Sequence, residues 1–115
     1  GPPLELPAAV DPAQLLLDTA RRKLRAAHVL VGEQCPREAV ELLVASMAHS
    51  VAARAGLDVV PTGDLGPWLF TSVVSTGAVS MEQAASVARA LAFQGADPPA
   101  SVLSQILSDA RALVC

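Results

Sequence analysis

At 115 residues, with eight Lys and Arg against eleven Asp and Glu, the chain has a formal net charge of −3. That balance argues against a general nucleic-acid binder, because phosphate neutralisation needs a basic surface. Apolar residues make up 52% of the chain and aromatics only 3%, so the core must be built of Ala, Leu and Val on closely approaching helices.

Residues 1–10, GPPLELPAAV, hold three prolines and no periodicity, which predicts an extended leader. Gly1-Pro2 has the form of a tag scar, and with no initiating Met it implies a piece excised from a larger protein. Asp11-Pro12-Ala13-Gln14 supplies an N-cap carboxylate, a first-turn proline and a glutamine placed to close a capping box. The helix that starts there repeats Leu16, Ala20, Leu24, Ala27 and Val31 on one face, with Gly32 as its expected left-handed terminator.

Pro36 opens a second helix, which closes at Gly56 and folds back on the first as an antiparallel hairpin. Its segment Arg37 to Ala55 places apolar residues at almost every angle, leaving a narrow polar arc through Glu38, Ser46, His49 and Ser50. A helix of that kind needs neighbours on several sides, so the fold is organised around it.

Gly56 to Gly66 is rich in breakers and predicts a loop with Leu57, Val59 and Val60 tucked beneath it. Pro67 to Ser75 carries Trp68 and Phe70 and reads as a short helix, since a lone strand would lack a partner. Ser80 and Gln83 form a second capping box, for a helix through Met81, Ala84, Val87, Ala88 and Leu91 that stops at Gly95. Asp97-Pro98 starts a last helix with Val102, Ile106, Ala110 and Leu113 inward. The expected architecture is all-α: one domain over residues 11–115, an up-and-down bundle of four to five helices around a central apolar helix.

The sharpest local feature is the run Arg21, Arg22, Lys23 and Arg25, with His28 behind it. Arg21, Arg25 and His28 fall at i, i+4 and i+7 and share a face with the chemistry to hold an anion. The alternative is a solvated basic face, neutralised across the hairpin by Glu38 and Glu41. His49 is a polar-site candidate, either titrating near neutral pH or held by a neighbouring carbonyl. Cys35 sits at a helix N-terminus and Cys115 ends the sequence; two thiols in a core-forming chain fit a reduced, cytoplasmic protein. The spacing of Cys and His provides no metal set, no phosphate loop occurs, no cofactor is implied, and no run is long and apolar enough for a membrane span.

The words ARRKLRAAHVLV, Ala20 to Val31, and AVELLVASMAHSVAARA, Ala39 to Ala55, resemble the paired-helix pattern of the HEPN family over the first half of the chain. That resemblance implies a bundle of four or five helices that dimerises. Many HEPN members are metal-independent endoribonucleases with an Arg, four to six residues, then His, a spacing met by Arg22 and His28. The match lies on the first helix instead of a later one, which implies a non-catalytic member appended to a larger helicase-like or other ATPase protein. The leading expectation is a non-catalytic interaction or dimerisation module whose partner is a second copy or the rest of its parent protein. The alternatives are an endoribonuclease, or a nucleotide- or phosphate-binding domain using Arg21, Arg25 and His28.

Overall fold

The computed structural model describes residues 11–115, and among them every regular element is helical. Helix α1 (Pro12–Gly32) and α2 (Pro36–Arg54) form the hairpin, and α3 (Leu65–Trp68) runs straight into a π-helical turn (Leu69–Val73). Helices α4 (Met81–Ala92) and α5 (Ala100–Val114) complete an all-α bundle. The leader expected over residues 1–10 lies outside the described residues.

Helix α2 is the centre of the bundle, packed against α1, α4 and α5. Val40, Leu43, Met47 and Val51 are fully buried, and each aliphatic side chain of that size contributes about 1.5–3 kcal/mol on leaving water. Ala20 and Ala27 of α1 and Ala39 of α2 have no exposed surface, and side chains this small allow the two backbones to approach closely. A smaller cluster of Leu16, Ala52 and Ala53 closes one end with Leu57, Val60 and Trp68. Val59 does not join it and is 70% exposed, because the loop needs only two of its three apolar side chains to cover that cluster.

The polar arc expected on α2 is in fact two stripes. Ser46 and Ser50 are completely buried, and their hydroxyls donate to the backbone carbonyls of Ala20 (2.6 Å) and Leu113 (3.0 Å). A buried hydroxyl without such a partner would cost roughly 1–3 kcal/mol, so these bonds permit two serines in an otherwise aliphatic interior. Glu38, Ala45 and His49, at i, i+7 and i+11, form the second stripe, which retains contact with solvent.

Helix boundaries follow their capping chemistry, with three departures from the sequence expectation. At α1, the Asp11 carboxylate accepts from the Ala13 amide at 3.0 Å, but Gln14 reaches forward to Asp18 (2.9 Å) instead of closing a box. The i, i+4 pair on the helix surface competes successfully with the cap. Gly32 stays helical, and the reversal occurs at Gln34 (φ 59), where the Cys35 amide donates to Leu30 at 2.9 Å and the Gln34 amide to Val31 at 3.2 Å. This is a Schellman motif with a side chain in a left-handed position that costs a non-glycine residue about 1–2 kcal/mol. The same motif ends α2 with Gly56 (φ 75), where no such cost arises.

The third departure is at α5, which begins at Ala100 behind Pro99, while Asp97 pairs with Arg37 at 3.0 Å instead of capping. Pro99 forces the preceding residue out of helical geometry, so no helix can start at Pro98. At α4 the capping box forms as expected, with Ser80 and Gln83 exchanging side-chain to backbone bonds of 3.0 and 2.9 Å. Met81, expected on the inner face, is the first residue of α4 and is exposed.

Candidate functional site

The basic run of α1 is divided by the helix into separate environments. Arg21 pairs with Asp18 of its own helix at 3.7 Å. Arg22 donates to the Thr19 hydroxyl at 3.1 Å, and with Lys23 and Leu42 it lines a shallow groove between α1 and α2. Arg25 and His28 line a different groove, formed with α5 by Leu24, Arg111 and Cys115. Arg22 and His28 therefore do not meet in one groove of a single chain. Nor do Glu38 and Glu41 neutralise α1: Glu41 accepts from Gln94 at 3.5 Å, near the end of α4. Neither carboxylate forms an ion pair with α1 among the described residues.

Arg111 is the residue that sequence reasoning missed. Its guanidinium Nη2 lies 2.8 Å from Nδ1 of His28, bridging α5 to α1. A guanidinium only donates, so Nδ1 accepts and the imidazole proton resides on Nε2, leaving that N–H for another acceptor. His49 has the opposite arrangement, with Nδ1 donating to the Ala45 carbonyl at 2.7 Å one turn back, and it lines neither groove of the basic run. The available signal for Arg111 was its place at i+4 from Leu107, on the edge of the apolar face of α5.

That edge runs beside α1 for most of its length. Leu24, His28 and Val31 (i, i+4, i+7) form one stripe of α1, and Ser104, Leu107, Arg111 and Cys115 form the facing stripe of α5. Val31 neighbours Leu103 and Leu107, while His28 meets Arg111, so the two helices run antiparallel along a shared seam. One half of the seam is an apolar groove of about 330 Å3, lined by Val31, Pro36, Pro98, Leu103 and Leu107. The other half is more open, about 540 Å3, and has two arginines and a histidine around the Leu24 side chain, with no carboxylate side chain in its lining.

Buried chemistry holds the seam in place. The carbonyl of Leu113, in the last turn of α5, accepts from the Ser50 hydroxyl at 3.0 Å and from Arg54 Nη2 at 2.6 Å. Carbonyls in a last helical turn have no partner within the helix, and here α2 supplies two donors. The turn of α5 that projects Arg111 is thereby fixed to the central helix. Ion pairs among the described residues join Arg21 to Asp18, Arg37 to Asp97 and Arg89 to Asp109, and none involves Arg25 or Arg111.

Cys35 caps α2 without a side-chain cap bond, its thiol 3.7 Å from the Glu33 carbonyl, and both cysteines are free. Among the described residues no cluster of three or more His, Cys, Asp or Glu could hold a metal ion, and no helix is long and apolar enough to cross a membrane. No known protein family, curated protein or solved structure matches the chain.

Proposed function

We propose that this domain works by binding, as a non-catalytic helical interaction module that docks a partner segment along the α1–α5 seam. One observation carries the reading: an apolar groove and a pair of arginines with no facing carboxylate side chain lie end to end on one strip of surface. From Leu103 to Cys115 the strip extends about 18 Å, just over three helical turns. The complementary partner is an amphipathic segment, apolar at one end and acidic at the other, laid in the groove as a helix is laid in other apolar grooves. Apolar contact supplies affinity, and the arginines set direction and register.

Selection of 12-residue peptides from a random display library on the immobilised domain tests this. Enriched peptides should combine apolar and acidic residues, and their binding should be lost in Ser104→Arg, which fills the apolar half, and in the Arg25→Glu, Arg111→Glu double variant. Binding that survives both changes would place the docking surface elsewhere. A second copy of the chain is the competing occupant. Light scattering showing a dimer that Ser104→Arg converts to a monomer would replace the acidic segment with a self-complementary one.

A further inference from the structure

The basic half of the seam has chemistry more specific than a positive patch, and we infer that it is a phosphoryl site: Arg25, Arg111 and the Nε2–H of His28 take the phosphate of a phosphorylated side chain on the docked segment. This rests on the reading of the seam as a docking groove. The three residues come from two helices and line one groove beside Leu24. Arg111 uses one N–H on His28, at 2.8 Å, and retains the rest of its five. That same bond fixes the imidazole so that its remaining proton sits on Nε2 as a third donor.

The stoichiometry favours phosphate over carboxylate. A carboxylate has two oxygens and one charge, enough to satisfy a single guanidinium fork bidentately, which leaves the second arginine without a counter-charge. A phosphate monoester carries about −1.5 to −2 at neutral pH and three acceptor oxygens, matching two guanidiniums and one N–H. The ester also brings an aliphatic carbon, which Leu24 and the adjoining apolar groove accommodate. A peptide-borne phosphate uses both halves of the seam, whereas a free anion uses only one.

The test is an amide and side-chain NMR titration of the whole chain with the peptide Leu-Ala-Ala-Leu-phosphoserine, its serine and glutamate counterparts, inorganic phosphate and a short oligouridylate. Expected are shifts at Arg25, His28 and Arg111 with the phosphopeptide, at least tenfold tighter binding than for either counterpart, and weaker binding of inorganic phosphate at the same residues. Arg25→Gln and Arg111→Gln should each weaken the phosphopeptide at least tenfold, and Arg22→Gln, in the other groove, should not. Equal binding of the glutamate peptide would overturn the phosphoryl assignment and leave the docking groove intact. Tighter binding of oligouridylate would overturn the peptide source. Failure of both phosphopeptide and inorganic phosphate to shift these residues would overturn the site. Binding of inorganic phosphate at these residues with no peptide enriched on the seam would reject the docking reading, and with it the peptide source, while leaving the anion site.

Discussion

Helix α2 and the α1–α5 seam use the same kinds of side chain to opposite ends. On α2 the serines at 46 and 50 and the guanidinium of Arg54 direct their hydrogen atoms inward, to backbone carbonyls of α1 and α5. Along the seam Arg25, His28 and Arg111 line one groove, and the single bond between Arg111 and His28 leaves most of their donors without a partner in the fold. Polar groups whose partners lie within the fold stabilise and orient; polar groups held in place with donors to spare can recognise something else. The bond from α2 to the Leu113 carbonyl connects the two regions, since it holds the helix end from which Arg111 projects.

The largest test of that contrast is Leu43→Ala on α2. The side chain is fully buried, so truncation should cost about 2–5 kcal/mol and lower Tm by roughly 10 °C or more, read by thermal unfolding. A loss below about 1 kcal/mol would show that the centre collapses around the cavity and that α2 is not the organising helix. Ser50→Ala removes one of the two donors to the Leu113 carbonyl and should cost about 1 kcal/mol in urea unfolding, since Arg54 still satisfies that oxygen. The same variant should also weaken seam binding, because the last turn of α5 loosens; unchanged binding would sever the proposed link between the regions.

Gln34→Gly relieves the left-handed position after α1 and should raise stability by about 0.5–1 kcal/mol, less than the full strain because glycine gains freedom in the unfolded chain. A destabilised variant would mean that the Gln34 side chain has a supporting role beside the apolar groove, where it forms part of the lining. The smallest stability effect belongs to the seam itself. Arg25→Gln should leave unfolding free energy within about 0.5 kcal/mol of the parent while removing binding, because its exposed side chain has no ion pair among the described residues.

The central helix was legible because it depends on one local property, apolar residues at nearly every angle of the wheel between Val40 and Ala52, and that property forces burial wherever the neighbours come from. The apolar face of α1 and the capping box at Ser80 were readable for the same local reason. The misses occurred where two local signals competed. Gln14 could serve the cap or Asp18, Gly32 could terminate α1 before Gln34 did, and the pair Pro98 and Pro99 displaced Asp97 from the cap. The site was half legible: Arg25 and His28 lie three apart on one helix, but Arg111 is 83 residues from His28, and nothing local says which edge of α5 meets α1. Likewise the four basic residues of α1 looked like one cluster until packing assigned Lys23 and Arg25 to different grooves.

The most direct test of the division between a stabilising centre and a recognising seam pairs thermal unfolding with peptide binding in the Arg25→Gln, Arg111→Gln double variant. The account predicts a Tm within about 3 °C of the parent and loss of the selected seam-binding peptides. A large fall in Tm with peptide binding retained would contradict it, because the two arginines would then be holding the fold together instead of reading a partner.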